Sequence, residues 1–168
     1  MNRRTELDVI VVGAGVVGAA LALGLARAGF EVALIEAHAA RPWHIEDELD
    51  PRVVALAPDA SALLQRLGVW PAIAAARVSG YRRMCVWDAQ APGELVFDAA
   101  ERGELTLGHI VENRLIQHQL WTALGDSDGA GGNSRAVRRL CPAQVQDVEN
   151  HAGHVEALLS DGTRLRSK

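Results

Sequence analysis

The chain has 168 residues, 49% of them hydrophobic, which is enough for one sizeable core and few for two complete domains. The formal net charge is −4 at pH 7 and the basic residues are scattered, so no nucleic-acid partner is expected. Two isolated cysteines, Cys85 and Cys141, indicate a reducing, cytoplasmic compartment rather than a disulfide-stabilised domain. Glycines interrupt the first apolar run, which argues against a signal peptide or a membrane span.

The first 36 residues predict a strand–helix–strand unit. Residues 7–12 are predominantly apolar and β-branched, as in a parallel strand that is buried on both faces. Residues 16–28 are rich in alanine and leucine and predict a helix that ends at Gly29. Residues 30–35 repeat the buried-strand pattern, so we expect an α/β fold with a Rossmann-like βαβ start.

The pattern changes after this unit. A loop with Pro42 and Pro51 separates the βαβ unit from the elements that follow. Those elements are, in chain order, a helix over 59–67, strands over 81–88 and 95–98, a strand over 109–111 and a helix over 112–124. Residues 125–134 are rich in turn formers, and from Ala136 onward strands separated by the turns ENHAG and SDG predict a small antiparallel meander. The two strands in the middle form a β-rich excursion from the alternating pattern.

The segment GAGVVG meets the G-x-G-x-x-G pattern in the right context, after a predicted strand and before a predicted helix. Gly13 permits the tight turn, Gly15 has no side chain to block a pyrophosphate, and Gly18 allows close packing of helix and strand. The N–H groups at the helix start favour negative charge. Glu36 follows Gly13 by 23 positions, where a carboxylate can accept hydrogen bonds from a ribose and disfavours the 2′-phosphate of NADP.

The glycine motif by itself does not distinguish FAD from NAD. A plain NAD-binding domain would continue with alternating strands and helices. This chain continues with an arginine-bearing loop and the β-rich excursion, which favours FAD.

Four segments together resemble the flavin-dependent aromatic hydroxylases of the para-hydroxybenzoate hydroxylase type, and within them the ubiquinone-biosynthesis hydroxylase branch. They are GAGVVGAALALGLARAGFEVALIE, DPRVVALAPDASALLQRLGVW, MCVWD and LGHIVENRLIQHQL. The resemblance covers essentially the whole chain as the N-terminal portion of longer family members. It implies that residues 1–168 are a partial FAD-binding domain, truncated at the C-terminus, in which about residues 78–108 begin the substrate-side β excursion.

The resemblance also implies a set of cofactor contacts. Arg52, in the segment DPR, matches the family arginine on the loop beside the flavin, and its guanidinium can pair with phosphate or ribityl oxygens. Arg114, in ENRLIQ, matches an arginine at the start of a helix, and Val137 would place its backbone beside the adenine. The expected FAD-binding residues are Gly13, Ala14, Gly15, Val17, Gly18, Glu36, Arg52, Arg114 and Val137.

The function that the resemblance implies is a flavin-dependent monooxygenase that hydroxylates an aromatic ring, a ubiquinone precursor, using NAD(P)H as transient reductant and O2. No catalytic residue is assigned, because the cofactor carries the difficult chemistry. Without the later family motifs, the chain alone is expected to bind FAD weakly and not to hydroxylate. The expected partner is a small aromatic or quinol substrate. Self-association and contact with the inner-membrane surface or a ubiquinone-biosynthesis complex are left open.

Two alternatives to this function remain open: another FAD-dependent oxidoreductase, such as an amine or amino-acid oxidase, and a non-catalytic binding or assembly module. No metal site is expected, because His151 and His154 flank a predicted hairpin turn without a further ligand pattern. Asp161 and Gly162 are interpreted as a second hairpin turn. Four tryptophans are spread along the chain and are interpreted as packing residues: Trp43, Trp70, Trp87 and Trp121.

Overall fold

A computed structural model of the chain describes residues 7–90, 92–125 and 137–168. It divides into two compact units: the parallel-sheet unit, Met1–Trp43 with Gln117–Lys168, and the antiparallel unit, His44–Ile116. The strands are β1 (Val9–Val12), β2 (Val32–Ile35), β3 (Val53–Leu56), β4 (Val78–Tyr81), β5 (Arg83–Trp87), β6 (Glu94–Asp98), β7 (Gly108–Glu112), β8 (Val137–Leu140), β9 (Val145–His151), β10 (His154–Leu159) and β11 (Arg164–Ser167). The helices are α1 (Val16–Arg27), α2 (Pro58–Arg66), α3 (Trp70–Ala76) and α4 (Asn113–Gly125), and Ala99–Arg102 form a 3-10 turn.

The parallel-sheet unit is built on three parallel strands in the order β1-β2-β8. All four residues of the central strand β2 are buried, as expected where both faces of a parallel sheet are covered. Helix α1 packs on this sheet. Its buried stripe consists of three small side chains and one leucine, so the helix backbone can approach the strands closely: Ala19, Ala22, Leu23 and Ala26.

The other face of the parallel sheet is covered by an antiparallel meander in which β10 lies between β9 and β11. Ala33 and Ile35 of β2 pack in one buried cluster with Leu159 of β10 and Leu165 of β11. This cluster explains the alternation of exposed and buried residues in β11, because only one face of the meander meets the sheet.

The antiparallel unit contains a three-stranded sheet in the order β3-β7-β4 and a separate β5–β6 hairpin. Helices α2 and α3 pack together, and each has a proline in its first turn, where the missing N–H costs nothing. In the hairpin, Met84 pairs with Phe97 and Val86 with Leu95, so these four exposed apolar side chains share one face.

The α/β class, the Rossmann-like start, the β-rich excursion and the meander predicted from the sequence are confirmed. The structure differs from the sequence predictions in the pairing of one strand, in the bounds of another and in two elements that were not predicted. The strand that begins after the glycine-rich loop, β8, joins the parallel sheet rather than the meander. The strand predicted over 81–88 corresponds to β5 (Arg83–Trp87), while Tyr81 ends β4 in another sheet. Strand β3 and helix α3 were not predicted, because neither shows a strong alternation of apolar and polar residues.

Most of the predicted loop over 125–134 lies outside the described residues, and the assignment of residues 78–108 to a substrate-side excursion stays a prediction. Within the part of the chain that the structure describes, no helix is both long and apolar enough to cross a membrane.

Candidate functional site

The predicted glycine motif forms the turn between β1 and α1, at the carboxyl end of the parallel sheet. Gly13 has a φ of +94°, a conformation that L-residues with side chains rarely adopt, and its N–H donates to the carbonyl of Ile35 at 2.8 Å. A Cβ placed on Gly18 would overlap the carbonyl oxygen of Gly13, so close packing requires glycine there. These two glycines are therefore required by the turn itself.

Gly15 differs from the other two glycines of the turn. Its φ of −65° and ψ of −177° are open to any residue, and a Cβ placed on it would meet no atom within 4 Å. Neither backbone conformation nor internal packing explains a glycine at this position. A ligand that approaches the backbone closely would explain it.

The start of α1 has features that favour the binding of an anion. Gly15 is its N-cap, no side chain caps the first turn, and that turn contains no acidic residue. The first N–H groups of a helix have no partner within the helix and carry a partial positive charge. Val17, in the first turn, is 82% exposed, so this end of the helix is open at the surface.

Glu36 follows β2 and reaches back to the glycine turn. Its Oε2 accepts a hydrogen bond from the backbone N–H of Ala14 at 2.6 Å, and its Oε1 accepts one from His38 at 3.0 Å. Partial burial raises the pKa of Glu36, but backbone hydrogen bonds from Ala14, His38 and Ala37 outweigh burial and hold the pKa below its ordinary value of 4.5. The carboxylate is therefore ionised at neutral pH beside the turn.

Two side chains of α4 also bind the glycine turn. Gln117 Nε2 donates to the carbonyl oxygen of Ala14 at 3.0 Å, and Trp121 Nε1 donates to the same oxygen at 2.8 Å. From the sequence Trp121 is predicted to be a packing residue, and neither donor is predicted. Their spacing of four residues on a predicted helix indicates that both lie on one helix face. The sequence does not indicate their partner, Ala14, because it lies more than a hundred residues earlier in the chain.

Val137 begins β8 and pairs with Val32, at the amino end of the parallel sheet. Three residue steps, about 10 Å along the strand, separate it from the carboxyl end, where Leu140 pairs with Ile35. Glu36 instead bonds to the segment after Leu140: its N–H donates to the Leu140 carbonyl at 2.9 Å, and its carbonyl accepts from the Ala143 N–H at 2.8 Å. The role of Val137 stays a prediction. The segment that lies beside Glu36 is 140–143.

The remaining predicted residues, Arg52 and Arg114, belong to the antiparallel unit. There an acid–arginine cluster holds the segment before β3; it consists of Asp47, Asp50, Arg77, Glu112 and Arg114. Glu112 is 2% exposed and accepts from Arg77 Nη1 at 3.0 Å and from the Asp50 N–H at 3.1 Å. Arg77 also donates to the backbone carbonyls of Ile45 and Asp47.

Arg52 and Arg114 differ in how far their guanidinium groups are engaged. The side chain of Arg52 is exposed, while its N–H donates to Asp50 Oδ1 at 2.9 Å and its carbonyl accepts from the Asn113 N–H at 3.0 Å. Arg114 pairs with Asp47 at 2.8 Å, and its Nε is buried without a hydrogen-bond partner among the described residues. An exposed guanidinium on a fixed backbone at Arg52 is suited to bind an anion.

The histidines singled out in the sequence lie on the β9–β10 hairpin. The rings of His151 and His154 stack with centroids 4.6 Å apart, and His151 lies 3.2 Å from Glu149. Among residues 7–90, 92–125 and 137–168, no group of three or more metal-ligating side chains is placed to hold a metal ion.

Comparisons with known proteins agree with this geometry. The family described as FAD dependent oxidoreductase matches residues 8–44, which span the glycine turn and Glu36. The 3-demethoxyubiquinol 3-hydroxylase of Escherichia coli (strain K12) is 43% identical over 167 residues, covering 99% of this chain and 40% of that protein. The mitochondrial ubiquinone biosynthesis monooxygenase COQ6 of Homo sapiens is 31% identical and shares 98% of this chain and 36% of its own length.

Solved structures show the same fold at low sequence identity. The p-nitrophenol 4-monooxygenase PnpA of Pseudomonas putida DLL-E4 has a TM-score of 0.66 at 20% identity, covering 97% of this chain and 39% of that one. The flavin-dependent monooxygenase PieE, solved in complex with FAD and substrate, has a TM-score of 0.67 at 17% identity, covering 99% of this chain and 29% of that one. The chain spans about two-fifths of the curated relatives that it matches, and over nearly all of its own length it is similar to proteins named as ubiquinone-biosynthesis hydroxylases and monooxygenases.

Proposed function

We propose that this chain supplies the FAD-binding portion of a flavin-dependent monooxygenase that hydroxylates the aromatic ring of a ubiquinone precursor, with NAD(P)H as reductant and O2 as oxidant. The observation that carries the proposal is the glycine turn, in which Gly15 is unexplained by the fold of the chain itself. The ring hydroxylation is proposed because relatives over nearly the whole chain are named ubiquinone hydroxylases.

The residues of the turn fit an ADP moiety. Open space above Gly15 leaves room for a pyrophosphate against the start of α1, whose N–H groups carry partial positive charge. Ala14 and Val17 belong to the same turn, and Gly13 and Gly18 give it its shape.

Glu36 supports the choice of nucleotide. Its carboxylate is ionised, so it accepts hydrogen bonds from ribose hydroxyls and repels a 2′-phosphate. Arg52, Arg114 and Val137 are proposed as further cofactor contacts on the strength of the family resemblance. Of these, Arg52 has the exposed guanidinium that such a contact needs.

When bound, FAD supplies the redox and oxygen chemistry that no side chain can provide. The chain's own contribution is to bind and orient. The glycine turn would hold the phosphates and Glu36 the ribose, so that the redox-active end of the cofactor is delivered in a fixed direction.

The proposal is tested by the absorbance spectrum of the purified chain after incubation with FAD and desalting. Because the chain alone is expected to bind FAD weakly, the wild-type chain should retain flavin bands at ~375 and ~450 nm with less than one FAD per chain. Gly15→Val should lose them, because its side chain occupies the space left for the pyrophosphate. Ala74→Val, which enlarges a side chain at an exposed position of α3, is the matched control and should retain the flavin bands.

A folded wild-type chain without flavin bands and with no detectable affinity for FAD would contradict the proposed cofactor site. Equal retention by wild-type and Gly15→Val chains would contradict the role of the glycine turn. The reaction itself is tested by NAD(P)H-dependent hydroxylation of a demethoxyubiquinol analogue, in a longer form of the protein if the chain alone is inactive.

A further inference from the structure

We propose that Gln117 and Trp121 are positioning residues, which orient the peptide between Ala14 and Gly15 so that its N–H is presented to the cofactor phosphates. The inference rests on the proposed function, because this orientation matters for catalysis only if the glycine turn binds a dinucleotide. Neither residue is required to touch the cofactor.

The peptide geometry gives the first step. Gln117 Nε2 and Trp121 Nε1 both donate to the Ala14 carbonyl oxygen, at 3.0 and 2.8 Å. In a planar trans peptide the C=O and the following N–H point in opposite directions. Two donors from α4 that hold the Ala14 carbonyl therefore turn the N–H of Gly15 away from those donors.

The polar groups of Ala14 are bound by side chains in a place that is closed to water. Ala14 is 1% exposed, so water cannot readily replace the two donors at its carbonyl. Its N–H is already committed to Glu36 Oε2 at 2.6 Å. Both polar groups of Ala14 are thus bound by side chains from outside the turn, one from the end of β2 and two from α4.

The third step is that α4 is a rigid support for these donors. Gln117 and Trp121 are four residues apart and so lie on one face of the helix. Leu120 and Leu124, in the same part of the helix, are fully buried and anchor it in the core. A donor on a packed helix loses little additional freedom when it holds the turn, so the binding site is preorganised before the ligand arrives.

The test separates phosphate binding from nucleoside binding. Trp121→Phe keeps an aromatic ring but removes the indole N–H donor. Gln117→Met keeps an unbranched, helix-compatible side chain and removes the amide N–H donors. Each should weaken binding of ADP by about three- to tenfold, the effect of one hydrogen bond, and leave binding of adenosine unchanged. Trp87→Phe on β5 and Gln119→Met on α4 are matched controls, since neither residue bonds to the turn among the described residues.

The outcomes distinguish this inference from the proposed function. Selective loss of ADP affinity in both variants supports it, whereas equal loss for ADP and adenosine, or no loss, overturns it. If the wild-type chain binds neither ligand, the proposed function fails, and the inference is then decided by NMR of the ligand-free chain. There, changed shifts and increased mobility of the Ala14 and Gly15 amides in both variants support the positioning role, and unchanged amides overturn it.

Discussion

The glycine turn and the acid–arginine cluster both hold a loop in place, but they do so by different means. In the glycine turn, side chains from outside bind the backbone of Ala14, and the groups left to meet a ligand are backbone N–H groups at the start of α1. In the acid–arginine cluster, charged side chains bind one another and nearby carbonyls, as in the pair of Arg77 and Glu112. The first arrangement leaves backbone donors available to a ligand, whereas in the second most of the charged side chains bind groups of the chain itself.

This difference decides how each region responds to substitution. The glycine turn depends on the absence of side-chain atoms, so adding atoms should damage it. The acid–arginine cluster depends on paired charges, so removing one partner should damage it.

Gly18→Ala should destabilise the chain most. Its Cβ would overlap the Gly13 carbonyl oxygen, which is backbone and can move only if the turn or α1 shifts. We expect the free energy of unfolding to fall by about 3 kcal/mol, measured by urea denaturation. Gly15→Ala is the matched control: because nothing lies within 4 Å, its stability should change by less than about 1 kcal/mol. Equal destabilisation by the two variants would contradict the assignment of packing to Gly18 and ligand approach to Gly15.

Arg77→Met should give the next largest loss. It removes the guanidinium that lies 3.0 Å from the buried carboxylate of Glu112 and the donor to the Asp47 carbonyl. Breaking such a pair is costly, and because Arg77 is partly exposed we expect a loss of about 2 kcal/mol in urea denaturation. Arg102→Met, at an exposed position of the 3-10 turn, should be within about 0.5 kcal/mol of wild type. A loss no larger than that of the control would show that the cluster contributes little to stability.

Glu36→Gln tests the charge beside the glycine turn through pH. The pKa of Glu36 is lowered in the folded chain, so its ionised form stabilises the fold fully above its ordinary pKa of 4.5. That contribution is lost as pH falls through the lower folded-state pKa. At pH 7 we expect Glu36→Gln to lose about 1 kcal/mol, the value of a hydrogen bond to Ala14 strengthened by charge. The difference from wild type should shrink as the pH is lowered below 4.5, and a difference that is constant with pH would contradict the sign of the shift.

The sequence predicted the glycine turn well because its requirements are local. A strand, three glycines and a helix follow one another within about twenty residues, and Glu36 lies at a fixed distance along the next strand. It could not predict Gln117 and Trp121, whose partner Ala14 is brought near only by the tertiary fold. Nor could it predict that β8 joins the parallel sheet, because its Val-Arg-Arg-Leu pattern alternates too little to distinguish a sheet edge from a meander strand.

The smallest expected effect concerns Arg114, which the family resemblance assigns to the cofactor and the structure pairs with Asp47. Both side chains are partly exposed, so Arg114→Met and Asp47→Asn should each change stability by less than about 1 kcal/mol. Their effects on FAD affinity should differ, however. Arg114→Met should weaken FAD binding if the guanidinium reaches the cofactor, whereas Asp47→Asn releases that guanidinium and should leave binding unchanged or strengthen it. Titration of flavin fluorescence measures both, with Arg102→Met as control. Equal weakening by the two variants would make the pair a structural element of the acid–arginine cluster, whereas opposite effects would show that Asp47 competes with FAD for Arg114.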